Sequence, residues 1–156
     1  YARKWGAPYL NLACCLELWK TMADRLVLVL AFDGAEAVAG AIAFRQDDRL
    51  FGRYWGAKGN YPFLHFELCL YRLIDFAIAE NISLFEAGAQ GEHKFQRGFS
   101  ALPVYSSHKL FHPQGAAAIA AFLSRERRAT IRALNAYRKA SPNKDEPSHL
   151  PEFAGE

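Results

Sequence analysis

The run Leu26-Val-Leu-Val-Leu-Ala-Phe32 constrains this chain more than any other feature, because it is apolar at every position. It is far short of the roughly 20 residues a membrane helix needs. A run of this kind predicts a central strand buried on both faces. Asp33-Gly34 follows as a turn signal, so about Ala37 to Arg45 is expected to return as a hairpin partner. Gln46-Asp47-Asp48 marks a second turn, and Leu50 to Trp55 a third strand. Three strands joined by short turns predict an antiparallel meander.

Helical patterning flanks the meander. Asn11 to Asp24 places Leu12, Leu16, Trp19 and Ala23 on one apolar stripe. That stripe is richer than a lone surface helix requires, so it is the expected place for an exposed apolar patch. Pro62 suits the first turn of a second helix, about Phe63 to Asn81. At 100° per residue, His65, Arg72, Asp75 and Glu80 share one arc of it. Glu67 projects about 200° from His65, onto the face of Phe63, Tyr71, Ile74 and Ile78. A carboxylate there is expected to be mostly buried and bonded to a cation or donor of the Gly88–Arg97 or Tyr105–His108 segment, since an isolated buried charge is costly. Ser83 to Glu86 reads as a strand parallel to the third, completing a β-α-β unit. A polar segment with three glycines leads to an expected strand from Val104 to Phe111, then to a helix from about Gln114 to Ala140. The fold class is therefore α+β, a mixed sheet with flanking helices, over residues 1–140. Residues 141–156 hold three prolines and are expected to form a disordered tail.

Composition narrows the function classes. With 19 basic and 16 acidic residues the formal charge is +3, too small an excess to argue for nucleic acid by itself. Cys14, Cys15 and Cys69 fit neither a disulfide framework nor a metal cluster, which suggests a reducing, cytoplasmic setting and core roles for the thiols. No stretch is apolar enough to span a membrane, and the opening Tyr-Ala-Arg-Lys-Trp has no signal-peptide h-region. The chain opens on Tyr1 rather than Met, so an upstream segment is expected.

Four groups of residues can carry chemistry. In Arg53-Tyr-Trp-Gly-Ala-Lys-Gly-Asn60, Gly56 and Gly59 permit close backbone approach and Lys58 adds charge at the start of a helix; an ordinary strand-to-helix turn is the alternative. Glu86-Ala-Gly-Ala-Gln-Gly-Glu-His-Lys94, with Arg97, packs acids, an imidazole and cations beyond the end of a parallel strand, where ligands of open α/β sheets bind. A solvated polar loop is its alternative. In Tyr105-Ser-Ser-His108, strand alternation makes Ser106 and His108 neighbours, with Tyr105 and Ser107 on the other face. Arg125, Arg128 and Arg132 share a helix face with Arg127, Arg138 and Lys139 nearby, either a solvated face or a surface for RNA or an anionic membrane.

The strings Gly52-Arg-Tyr-Trp-Gly-Ala57, His65-Phe-Glu67, Phe85-Glu-Ala-Gly-Ala-Gln-Gly-Glu-His-Lys94, Arg97-Gly-Phe99 and Tyr105-Ser-Ser-His108 resemble a bacterial family of FemAB-like predicted N-acyltransferases, linked to peptidoglycan biosynthesis or recognition. The resemblance covers nearly the whole chain except its tail. It implies a GNAT-like fold and two tandem units, of which this chain would be the second, so a first GNAT-like unit is an expected partner, as is a homo-oligomer. More distantly, the chain is similar to Fem aminoacyltransferases. Gly91, Phe95, Gly98 and Phe99 match their Gly-x-x-x-Phe-Lys-x-Gly-Phe segment, while Gln96 replaces its lysine. Gly56-Ala-Lys-Gly59 likewise departs from the pyrophosphate loop of acetyl-CoA-dependent GNAT enzymes. The donor is thus left open between acyl-CoA and aminoacyl-tRNA.

On this resemblance the expected reaction is acyl or aminoacyl transfer to an amine of a small-molecule or peptidoglycan-precursor substrate. Glu92 or His93 would act as base, and Lys94 and Arg97 would hold a phosphate or diphosphate. Tyr54, Trp55 and Tyr105 would shape the pocket, with Glu67, Glu86, Gln90, Ser107 and His108 also binding substrate. Lys58 and Gly59 would meet the donor. The alternative is a non-catalytic module that recognises a peptidoglycan precursor or nucleotide-linked ligand with the same residues.

Overall fold

The computed structural model describes residues 10–88 and 92–140. The chain divides into two compact units, residues 1–89 and 90–156. The first unit contains α1 (Leu12–Met22), β1 (Leu26–Asp33), β2 (Glu36–Gln46), β3 (Arg49–Ala57), α2 (Leu64–Phe66), α3 (Arg72–Ala79) and β4 (Leu84–Glu86). The second contains a 3₁₀ turn (Glu92–Arg97) and α4 (Pro113–Ala140).

The meander forms as its turns dictate. Two-residue hairpin loops need a left-handed first residue to match strand twist. Gly34 (φ 57°) supplies it between β1 and β2, and Asp47 (φ 54°) between β2 and β3. The sheet order is β1-β2-β3-β4, with β1–β2 and β2–β3 antiparallel and β3–β4 parallel. These are the expected pairings, and the α+β class holds.

Alternation then sorts the side chains. Val27, Val29 and Ala31 of β1, Ala39, Ala41 and Ala43 of β2 and Leu50 of β3 line one face. Leu68, Leu73 and Ala77 pack on that face, and buried Leu70 belongs to the same helical segment. Full burial of Leu50, Leu70 and Leu73 is worth roughly 1.5–3 kcal/mol apiece. Asn81 in the left-handed region (φ 51°) ends α3: Ile82 N–H donates to the Ala77 carbonyl at 2.8 Å and Asn81 N–H to that of Ile78 at 3.2 Å. Ile82 follows into the core.

The opposite face corrects one expectation. β1 is an edge strand rather than a central one, and Leu28 (55% exposed), Leu30 and Phe32 (59%) stand bare. An apolar run cannot by itself distinguish burial on both faces from an uncovered face. In α1 no residue is buried, and Leu12 (74%), Leu16 and Trp19 (63%) are exposed, which is the patch the sequence predicts. Cys69 packs beside the core as expected, whereas Cys15 on α1 is exposed.

A second correction concerns 104–111, which lies in no strand. Its alternation is real, but a strand exists only by pairing, and the described part of its unit holds only a 3₁₀ turn and a helix. Val104 is accordingly 86% exposed. The expected tail, 141–156, lies outside the described residues.

One clamp fixes where β4 begins. Ser83 N–H and Leu84 N–H donate to the Asp48 carbonyl at 2.9 and 3.2 Å, and the Ser83 hydroxyl donates to the Asp48 carboxylate. That hydroxyl bond holds the Asp48 carboxyl below its ordinary range. A depressed folded-state pKa contributes stability above the ordinary carboxylate range and loses it as pH falls through the folded-state value. Asp48→Asn should therefore lower the melting temperature at neutral pH, with the gap from wild type closing in acid. A gap independent of pH would show that the charge on Asp48 is not what holds the clamp.

Candidate functional site

The two parallel strands part company soon after they meet. β3 and β4 are in register at Arg49↔Leu84, Leu50↔Phe85 and Phe51↔Glu86. β4 then ends, while β3 continues to Ala57. Divergence of this sort opens a crevice at the carboxyl end of a parallel pair, where open α/β sheets place ligands.

β3 is also kinked there. Its register against β2 slips between Ile42 and Ala43, so Gly52 faces Ala43, Tyr54 faces Ile42, and Arg53 is the extra residue of a bulge. Bulges re-aim side chains and recur beside active sites. A Cβ on Gly52 would sit in ordinary contact with the Glu86 carbonyl at 3.6 Å and the Phe85 ring at 3.6 Å, so the two chains still touch at this point. Farther along, a Cβ on Gly56 would meet nothing within 4 Å. β3 therefore stays in contact with the Phe85–Ala87 segment at Gly52, and the space at Gly56 is open.

Its residues divide between the two sheet faces. Phe85 packs in the core, so Glu86 faces the other way, together with its register partner Phe51. Tyr54 pairs with Ile42 on that same face, and the Arg53 guanidinium lies over the Phe51 ring, 5.4 Å from its centroid. Trp55 turns to the core side and meets His65 edge-on, with centroids 5.3 Å apart and planes at 83°. His65 makes a similar contact with Phe66. The structure therefore gathers Tyr54, Trp55 and Glu86 around one strand end. It adds Arg53 and His65, whose signals in the sequence were the Gly-Arg-Tyr-Trp string and the helical arc.

The loop residues Lys58 and Gly59 have structural roles of their own. Lys58 N–H donates to the Val38 carbonyl at 2.8 Å, and its ammonium pairs with Glu36 at 2.7 Å. Both side chains are well exposed, and such pairs are worth about 0–1 kcal/mol, so the pair yields readily to another anion. A Cβ on Gly59 would come within 3.1 Å of the Tyr61 ring, so the glycine admits that ring against the backbone.

Glu67 departs from expectation. It is half-exposed and pairs with Arg72 of its own helical segment at 2.9 Å, with Arg72 also 3.6 Å from Asp75. The reason lies in the backbone. Glu67–Tyr71 is a π-helical turn, in which Arg72 N–H donates to the Glu67 carbonyl five residues back. The wider turn brings residues five apart onto one side, which a wheel of 100° per residue cannot anticipate. It also lets Leu68 and Leu70 both be buried, while Phe63, Tyr71 and Ile78 of the supposed inner face are exposed. Phe63, 79% exposed, enters the helix in the left-handed region (φ 65°). For a bulky residue that is a strained conformation, of the kind that clusters at functional sites.

In the second unit, Gln90 lies outside the described residues and Glu92 opens the 3₁₀ turn. Arg97 Nη1 donates to the His93 carbonyl at 2.7 Å, and Phe99 N–H to that of Lys94 at 3.2 Å. Gly98 (φ 84°) permits that closure. Phe95 stacks on Tyr137 of α4 with centroids 4.3 Å apart. His93, Lys94 and Arg97 are half-buried. Ser106 Oγ and His108 Nε2 are 3.1 Å apart, although the segment is not the strand from which their proximity was expected, and both are exposed, as are Tyr105 and Ser107. Arg125, Arg127, Arg128 and Arg132 of α4 are exposed. No helix among the described residues is long and apolar enough to cross a membrane.

A mixed sheet whose bulged, glycine-punctuated third strand outruns its short parallel neighbour defines an α+β protein. The chain belongs to the FemAB-like family, described as peptidoglycan biosynthesis/recognition, whose model matches residues 1–145. No curated protein and no solved structure matches the chain.

The exposed geometry of the Glu67–Arg72 pair sets its magnitude. Glu67→Ala should cost no more than about 1 kcal/mol of stability. Chemical denaturation measures this directly, and a loss of 3 kcal/mol or more would restore Glu67 as a buried, structurally essential charge.

Proposed function

We propose that the chain carries out acyl or aminoacyl transfer to an amine, with a peptidoglycan precursor as acceptor, in the crevice beyond Glu86. Membership of a peptidoglycan biosynthesis/recognition family supports the substrate class. The observation that carries the reaction class is the divergence of β3 from β4 beside a bulge, together with the expected GNAT-like character of the sheet. In this reading the sheet is the GNAT sheet of a second Fem-type unit, acting beside a first unit.

Amide formation needs an amine freed of its extra proton and an activated acyl carbon held within reach. Beyond Phe51 the ladder between β3 and β4 ends, and the backbone of Gly52–Ala57 is the stretch proposed to meet an extended donor or peptide. Tyr54 and Trp55 supply aromatic walls to either side. In the second unit, taken by itself, the family resemblance implies His93 or Glu92 as base and Lys94 and Arg97 as phosphate ligands. An acyl-CoA thioester and an aminoacyl-tRNA ester are the two donor classes to test.

The family description favours one rival, recognition without turnover. The two separate in a single design, in which the purified chain is incubated with a precursor pentapeptide and each donor class, and new amide is read by mass spectrometry. Transfer should appear with one donor and fall at least a hundredfold in His93→Ala or Glu92→Gln without loss of precursor affinity. Precursor binding with no product from any donor would replace the transferase reading with recognition.

A further inference from the structure

Among the described carboxylates of the first unit, Glu86 differs from all the others. Glu36 pairs with Lys58, Glu80 with Arg45 at 2.8 Å, and Glu67 and Asp75 with Arg72. Asp48 is held by Ser83, and Asp24 lies 3.9 Å from Arg25. Glu17, Asp33 and Asp47 are exposed to water. Glu86 is half-buried, and among the described residues it makes no ion pair and no side-chain hydrogen bond. A half-buried carboxylate that its own chain leaves without a counter-charge can take one from a ligand.

Its position says what that partner is. Glu86 is the last residue of β4, while β3 continues to Ala57. Alternation puts it on the sheet face of Phe51 and Tyr54. The nearest cation along the strands, Arg53, spreads over the Phe51 ring and donates to the Gly52 carbonyl at 3.2 Å instead of pairing with Glu86. A carboxylate at the end of a short strand, on the same sheet face as Phe51 and Tyr54 and without a cation of its own, matches a ligand ammonium through a charge-assisted hydrogen bond.

We propose that Glu86 seats the primary ammonium of the acceptor. The ammonium seat stands on the geometry of β4, while its use in amide formation rests on the transferase reading.

The test uses the full ¹⁵N-labelled chain titrated with n-butylammonium chloride and, separately, with neutral N-butylacetamide, against a potassium chloride control. The ammonium should shift the amides of Phe51, Tyr54 and Glu86, and the neutral analogue should not. Glu86→Gln should weaken the ammonium response at least about tenfold, and Glu86→Asp, which keeps the charge, should weaken it less. Equal shifts with both ligands, or an undiminished response in Glu86→Gln, would overturn the proposal. The comparison of the two ligands on the native chain decides the matter even where a variant does not fold. Ammonium binding at Glu86 without turnover would support the seat and count against the transferase reading. Full turnover in Glu86→Gln would remove Glu86 and leave that reading standing.

Discussion

The first unit depends on the fit of one helical segment against a strand of small side chains. Ala39, Ala41 and Ala43 give β2 a shallow inner face, and Leu68 and Leu73 fill it from above. That contact leaves little room for adjustment, since protein interiors are packed as densely as organic crystals. The π-helical turn is where the adjustment is made: the extra residue between Phe66 and Arg72 lets leucines on both sides of the turn reach the same sheet. The same turn draws Glu67 to Arg72 of its own helical segment.

From this fit follows the position of the candidate site. The helical segment crosses from the end of β3 to the start of β4, and the Asp48–Ser83 clamp sets β4 beside the beginning of β3. β4 is only three residues long, so it leaves the sheet while β3 still has six to run, Gly52 through Ala57. The crevice results from unequal strand lengths fixed at one end. The bulge at Arg53 sharpens the divergence by twisting β3 where its neighbour is lost.

Much of this was legible in the chain itself. Turn chemistry at Asp33-Gly34 and Asp47-Asp48 punctuates the meander, and Gly34 and Asp47 take the left-handed backbone that their types tolerate. The parallel β4 follows from a helix long enough to cross the sheet. The illegible parts share a cause, because each depends on what lies beside the residue in space. The run Leu26–Phe32 reads the same for a central and an edge strand, since both want β-forming apolar residues. The alternation at Val104–Phe111 specifies a strand that has no partner in its described unit. Glu67 was misplaced because a wheel assumes one uniform turn, and nothing in Glu-Leu-Cys-Leu-Tyr announces an inserted residue. Tyr54 and Trp55 stood in one string and Glu86 in another, and the register of β3 with β4 is what sets both strings at the same end of the sheet.

The central claim is that ligand binds where β3 outruns β4. Hydrogen–deuterium exchange of the chain, with and without a soluble nucleotide-linked peptidoglycan precursor, tests it most directly. Free strand edges exchange readily and become protected when a ligand bonds to them. The account predicts slowed exchange at residues 52–57 and 84–88, with the hairpin Asp33–Glu36 at the far end of β1 unchanged. Protection confined to α1 or α4, with residues 52–57 exchanging as in the free chain, would contradict it.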